Sequence, residues 1–484
     1  MGRKQRRLHA VVSGAALLCA AGCAGSHAAT GGASQAPVAA ASVHDSPRDL
    51  LKELIEINSV HANGSTVAAR AVEARLLAAG FAASDVQVLA PPDHPTKGNV
   101  VVRLHGRGKG RAVLFVGHLD VVEARREDWT YDPFLLTEKD GWLYGRGTSD
   151  MKGADVAMLA GIVRMKREGL VPDRDLLVAF TADEEAGGDA NGVEWLLAAH
   201  RELVDASLVV NPDVGGAAMK GGRKIFLGVQ TSEKVAFSFQ VEITDKGGHS
   251  SRPTPSNPIH RLAKDLARLA DFRFPFHLTE TARLYFARRA LLESGAMRAD
   301  MQAVAATPPD PAAVERLSAL TETNVFFRTT CVATRIEGGH AENALPQRAR
   351  ATIQCRAIPG ETLEEVQRAL VAAMGDPTLV FTTLSPAHPS PESSPTPQIL
   401  GAVEKVARGM WPDVAVLPLM GCGASDGVYT RAAGIPTYGI DAMFDDIDDN
   451  RAHGKDERIG VTALAEDVEF TYRLMKALTV DAGE

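Results

Sequence analysis

Two histidines and a series of acidic residues in this 484-residue chain each follow a strongly apolar stretch or stand in a polar loop. His118 and Asp120 close the segment 115–120, and residues two apart in a strand point to one face. A carboxylate beside an imidazole is the usual device for fixing the tautomer of a metal-binding histidine. Asp150 lies in the segment 145–153, GRGTSDMKG, and Asp183, Glu184 and Glu185 directly follow the apolar run 176–180. Asp213 comes just after the run 207–211, and His453 sits in the polar segment 451–458. Together these residues offer the nitrogen and oxygen donors that hold divalent ions. Each has a plainer reading alone. A single H-x-D is commonly structural, adjacent glutamates commonly begin a solvated helix, and Asp150 and Asp213 suit turns or caps. The joint pattern, acids placed directly after apolar strands, favours a site.

The elements that must position these residues alternate. Ser46 and Pro47 read as an N-cap with proline at the first helical position, followed by helical spacing of Leu50, Leu51, Leu54 and Ile55. A second helix is expected over 66–79, ending at Gly80. Strands are expected at 99–104 and 112–116 around a glycine-rich turn, then a helix at 154–166, a strand at 176–181, a helix at 193–200 and a strand at 207–211. Such alternation implies a mostly parallel α/β sheet covered on both faces, with its site at the carboxyl ends of the strands. From 235 the pattern changes. Strands at 235–243, 328–336, 349–358 and 378–382, with helices at 259–269 and 362–374, give the βαββαβ order of a ferredoxin-like unit, interrupted by a helical segment at 278–322. Five prolines between 385 and 397 mark a linker, after which helix and strand alternate again. One α/β domain (46–232 and 384–484) is thus interrupted by an inserted α+β domain (233–383).

His118-x-Asp120, Asp150 within GRGTSDMKG, and Asp183-Glu184-Glu185 resemble the di-zinc metallopeptidases of family twenty. That family includes glutamate carboxypeptidases, aminoacylases, non-specific dipeptidases and succinyl-diaminopimelate desuccinylase. The resemblance runs from Ser46 onward and implies a zinc-peptidase-like sheet carrying a lid, or dimerisation, domain. It implies two Zn2+ per subunit, with Co2+ or Mn2+ as alternatives. His118 and Asp213 would hold one ion, Glu185 and His453 the other, and Asp150 would bridge them. Asp120 would orient His118, and Glu184 would be the general base. On the lid, His249 in the segment 247–253 would help stabilise the oxyanion, in dimeric relatives from the partner subunit. Asn343 would bind substrate and Arg356 would receive a substrate carboxylate. Gly423, in the glycine-rich loop 421–426, would line the specificity pocket.

The implied activity is an exopeptidase, a carboxypeptidase or dipeptidase, cutting an amide next to a free carboxylate. An aminoacylase acting on N-acyl amino acids is the alternative, because a metal centre does not distinguish acyl groups. A silent peptide-binding protein is a further alternative, disfavoured because the base Glu184 is kept. A homodimer joined through the lid is expected, since a ferredoxin-like unit leaves an edge strand to be covered.

Composition excludes other classes. Hydrophobic residues at 45% and charged residues at 23% are ordinary for a globular chain. A formal charge of −8 and aromatics at 5% argue against nucleic-acid partners. The basic residues Arg3, Lys4, Arg6 and Arg7 precede an apolar run at 10–22, well short of the ~20 residues that span a bilayer, and read as a secretory signal over 1–28. Processing fits either Ser26-His27-Ala28 or an imperfect lipobox ending at Cys23, so the only membrane association expected is a lipid anchor. Arg6-Arg7 is a weak match to a twin-arginine signal. Residues 29–45 read as a flexible tether. The chain is expected to be exported to the bacterial periplasm. Of five cysteines, Cys331 and Cys355 fall on neighbouring strands and are candidates to pair, while Cys422 is expected to be free.

Overall fold

The structure, a computed structural model, describes residues 46–186, 190–385 and 388–480. The expected leader, lipobox and tether lie outside the described residues. No helix among the described residues is long and apolar enough to cross a membrane.

The larger sheet is built around Val113–His118, which pairs in parallel with Leu176–Thr181 on one side and Leu208–Asn211 on the other. Thr437–Gly439 extends the parallel run beyond Leu208–Asn211. All six residues of Leu176–Thr181 are buried, because helices cover both faces. Alternation divides the side chains. Val113, Phe115, Leu176, Val178 and Phe180 pack with the helices Pro47–Glu56, Lys152–Arg167 and Val461–Thr479. Leu114, Val116, Leu177 and Ala179 face the opposite core with Val193 and Leu196 of Gly192–Ala199. Ser46 caps the first helix by accepting the Asp49 amide, with Pro47 in its first turn as expected.

The strands Asn99–Leu104 and Val113–His118 do not form the hairpin that their short glycine-rich connection suggests. Leu176–Thr181 lies between them, antiparallel to the first and parallel to the second. Farther along, Arg223–Glu233 pairs with Ala217–Lys220 and Ala415–Gly421, so the sheet continues past its parallel centre.

Val235–Thr244, Thr330–Gly338, Arg348–Ala357 and Val380–Thr383 form a second, wholly antiparallel sheet. Its order places Thr330–Gly338 and Val380–Thr383 at the edges, the ferredoxin-like arrangement. Alternate residues of the central strands, among them Phe237, Phe239, Ile353 and Cys355, pack on Pro258–Asp271 and Leu363–Met374. Cys331 and Cys355 are directly opposite in register and form a disulfide. The helical segment inside the lid has its own core around Phe286, Val304, Leu317 and Phe327. It leans on the larger sheet: Arg288 donates to the Val416 carbonyl at 2.9 Å, and the Thr281 and Thr231 hydroxyls meet at 2.6 Å.

Candidate active site

Parallel pairing brings three chemistry-bearing segments together at the carboxyl ends of the central strands of the larger sheet. His118 ends its strand opposite Thr181, the last residue before the turn that carries Asp183, Glu184 and Glu185. Leu208–Asn211 ends just before Asp213. Asn211 supplies no charge, but its side-chain oxygen accepts the Asp213 amide at 3.1 Å and shapes the turn. Asp150 comes from the turn before Lys152–Arg167, and His453 from the loop before Arg458–Gly460.

The side chains converge. Asp150 stands between the two imidazoles, with Oδ1 3.2 Å from His118 Nε2 and Oδ2 3.0 Å from His453 Nε2. Asp213 Oδ1 is 3.7 Å from His118 Nε2, and Glu185 Oε2 is 3.0 Å from His453 Nε2. Ligand atoms of His118, Asp150 and Glu185 all lie within 4.8 Å of one another. His118 Nε2 and Asp150 Oδ1 are buried without a hydrogen bond from the protein, which native structures rarely tolerate. These donors fit divalent ions: two imidazoles and three carboxylates, one of them placed between the imidazoles.

The electrostatics agree with that fit. Burial, with Asp213 nearby, pushes the Glu184 carboxyl well above the usual carboxylate range. Burial likewise raises Glu185 and Asp213, each with Asp150 adding to the rise. His453, hydrogen-bonded to Asp150 and Glu185, is pushed up to about 10. Asp150, despite burial, is held low by both histidines. Burial and mutual repulsion disfavour the charge on these carboxylates, a strain that a bound cation would relieve.

The glutamate turn is braced from three sides. The Asp120 carboxylate accepts the amides of Glu184 and Glu185 at 3.2 and 3.1 Å. His118 Nδ1 meets the Asp120 main-chain oxygen at 3.0 Å, whereas the carboxylate is 3.8 Å away. Asp120 therefore orients His118 through its backbone and the glutamates through its side chain. Asp183 holds a left-handed φ of 65°, which aspartate tolerates better than most residues. Its buried carboxylate is gripped by Lys97 Nζ at 2.5 Å and His61 Nδ1 at 2.6 Å. Asn99 Oδ1 accepts the Ala182 amide at 2.9 Å, and a Cβ on Gly192 would fall 1.9 Å from that oxygen. Only glycine lets the next helix approach this turn. The sequence reading missed Lys97, His61 and Asn99, whose roles depend on strand order. It also missed Asp426, a fully buried carboxylate that accepts from Asn191 Nδ2 and the Thr181 hydroxyl.

A cavity of about 570 Å³ adjoins the centre. Asp150 and Asp213 line one side. Val214, Ala217, Ala218, Phe226, Leu419, Met443 and Ile447 supply apolar wall, and Gly423 also lines it with Cys422, a free, exposed thiol.

His249, Asn343 and Arg356 are not among the residues lining this cavity. His249 is exposed on a two-residue strand paired with Ala344–Leu345, and its Nδ1 meets the Ser251 hydroxyl at 2.8 Å. Asn343 is beside it, its carbonyl accepting the Ser250 amide at 3.0 Å. Arg356 projects from the lid-sheet face away from the two lid helices, since its neighbours Cys355 and Ala357 enter that core. Its charge, with that of Lys234, bears on the Cys422 thiol, so Arg356 stands near the glycine-rich loop.

A parallel sheet that gathers imidazoles and carboxylates at the carboxyl ends of its strands is an architecture of metal-dependent hydrolases. Residues 114–477 match the family described as Peptidase family M20/M25/M40, and the chain belongs to that family. It is 28% identical over 383 residues to a probable carboxypeptidase S-like 2 of Dictyostelium discoideum, covering 76% of this chain and 71% of that protein. It is 27% identical over 390 residues to the N-fatty-acyl-amino acid synthase/hydrolase PM20D1 of Homo sapiens, covering 76% and 74%. The fold resembles the M20 family metallo-carboxypeptidase Sso-CP2 of Sulfolobus solfataricus, with a TM-score of 0.64, 18% identity, and coverage of 89% of this chain and 99% of that one.

Proposed function

We propose that this enzyme hydrolyses the amide between an uncharged acyl group and an amino acid whose carboxylate is free. The cavity carries the reading: it runs from Asp150 and Asp213 onto an apolar wall able to take an acyl chain. Asp445 and Asp446 also line it, and their charge opposes a second carboxylate on the acyl side. This favours N-acyl amino acids over succinylated ones, and apolar dipeptides are the nearest competitors.

In this proposal His118, Asp213, Asp150, Glu185 and His453 would together hold two divalent ions, with Zn2+ the first choice. When bound, the ions supply Lewis acidity to the attacking water and the scissile carbonyl. Glu184 takes the water's proton as the oxygen–carbon bond forms, then delivers it to the amide nitrogen as the carbon–nitrogen bond breaks. Asp120 positions the glutamates. His249 and Asn343 approach from the lid onto the carbonyl, and Arg356 receives the free carboxylate through its guanidinium fork. Two copies join through the edge strand Thr330–Gly338, where Val332 and Ile336 are about 60% exposed, so that His249 serves the neighbouring subunit. The Cys331–Cys355 disulfide supports an oxidising compartment and hence export.

The test is kcat/KM for N-acetyl-, N-octanoyl- and N-succinyl-leucine beside Leu-Leu, with the metal-loaded full chain. The proposal expects the octanoyl substrate to lead and the succinyl substrate to trail. A preference for the succinyl substrate would overturn it.

A further inference from the structure

Glu457 follows His453 by four residues and is completely buried. Its carboxylate accepts four hydrogen bonds. Oε2 takes Arg146 Nη1 at 2.5 Å and the Gly147 amide at 3.2 Å. Oε1 takes the Ser149 amide at 2.8 Å and the Asp150 amide at 3.0 Å. Arg146, only 2% exposed, reaches back with Nη2 to the Gly454 carbonyl at 3.2 Å. The Glu457 carbonyl in turn accepts the Gly145 amide at 3.0 Å. The turn that delivers Asp150 and the loop that delivers His453 are therefore one hydrogen-bonded unit, although Ser149 and Glu457 are 308 residues apart.

Stability alone does not explain this arrangement. A buried ion pair loses solvation that a packed apolar pair of similar volume would not. What the pair adds is position. The backbone amide of Asp150 is tied to the residue that ends the His453 loop, while the Asp150 carboxylate lies 3.0 Å from the His453 imidazole. We infer that Arg146 and Glu457 are a positioning pair, setting the separation of Asp150 from His453 and thereby the affinity of the ions those residues hold. The inference rests on the two-metal reading above. Second-tier partners of this kind typically govern metal affinity by about 10–100-fold.

Glu457→Gln tests it. The amide oxygen can still accept the Ser149 and Asp150 amides, but its NH2 then faces two donors, Arg146 and Gly147. Zn2+ is titrated into the metal-stripped full chain against a chromophoric chelator, and thermal unfolding of the stripped protein is followed separately. The pair acting on position predicts that the variant folds and that both zinc dissociation constants rise about 10–100-fold. A lower unfolding temperature with wild-type zinc affinities would make the pair merely structural and overturn the inference. If Glu457→Gln does not fold, Arg146→Lys, which keeps the charge but loses the fork to Gly454, decides. Weakened zinc binding supports positioning, and unchanged binding overturns it. Failure of the wild-type chain to bind two zinc ions would strike the two-metal reading instead.

Discussion

The cleft at the carboxyl ends of the central strands and the tip of the lid carry the same kinds of residue under opposite constraints. In the cleft, His118 is buried, His453 is exposed but meets both Asp150 and Glu185 at 3.0 Å, and the turns bearing Asp150, Glu184 and Glu185 are held by Asp120, Glu457 and Asp183. At the lid tip, His249 is exposed on a two-residue strand, and its ring meets a serine from its own loop. Metal ligands gain from being fixed before the ion arrives, since any reorganisation subtracts from affinity. A residue that meets the carbonyl only as charge develops can arrive with lid closure or from a partner subunit. In the proposed mechanism the braced turns would serve the ions and the exposed tip the substrate.

The largest break should come in the cleft. Glu184→Gln is nearly isosteric but cannot accept a proton, and kcat is expected to fall about 10²–10⁴-fold in steady-state assays. A residual rate near wild type would move the base elsewhere. At the lid, His249→Ala should cost about 10²–10³-fold, the scale of a lost oxyanion donor. Mixing it with Glu184→Gln under subunit exchange sharpens the contrast. If His249 acts across the dimer, half the dimers are mixed, each with one complete site, so about a quarter of wild-type activity should return. Exchange without recovery would place His249 in its own subunit's site.

The cleft was largely readable from the chain because each of its early motifs directly follows an apolar run: His118 after 113–117, the glutamates after 176–180, and Asp213 after 207–211. Parallel pairing then gathers them without further instruction. The order of the strands was not readable. A glycine-rich turn between 104 and 113 suits a hairpin equally well, and only the packed sheet puts Leu176–Thr181 in between. The braces were hidden for the same reason. Lys97 and Asp183 are 86 residues apart and Arg146 and Glu457 are 311 apart, so no spacing rule connects them. On the lid, the ferredoxin-like order was visible because strand alternation and helical spacing are local. How His249, Asn343 and Arg356 would meet a substrate is a matter of tertiary arrangement, which sequence periodicity does not encode.

A smaller effect should separate binding from chemistry. Arg356→Ala is expected to raise KM about tenfold or more for substrates with a free carboxylate, the scale of one charge-assisted fork, and to leave amidated analogues nearly unchanged. Equal loss on both would remove the carboxylate anchor from the account.

The smallest effect lies behind the cleft and touches stability alone. Burial pushes Asp467 up to about 7, and its Oδ1 accepts the Ala442 amide at 2.8 Å. An aspartate in the unfolded chain titrates near 4. The folded value is the higher one, so burial costs nothing below about pH 4, where both states are protonated. The cost grows as pH rises toward 7 and then levels off. Asp467→Asn should therefore unfold a few degrees above wild type at pH 8 and at the same temperature near pH 4. A gap that does not change with pH would contradict the assignment.

The central claim is that neighbouring glutamates on one braced turn divide the work, Glu185 holding metal and Glu184 moving the proton. Metal analysis of the zinc-loaded wild type, Glu184→Gln and Glu185→Gln tests it most directly. The account predicts two zinc ions in the wild type, two in Glu184→Gln, and fewer than two in Glu185→Gln. A metal deficit in Glu184→Gln with full occupancy in Glu185→Gln would contradict it.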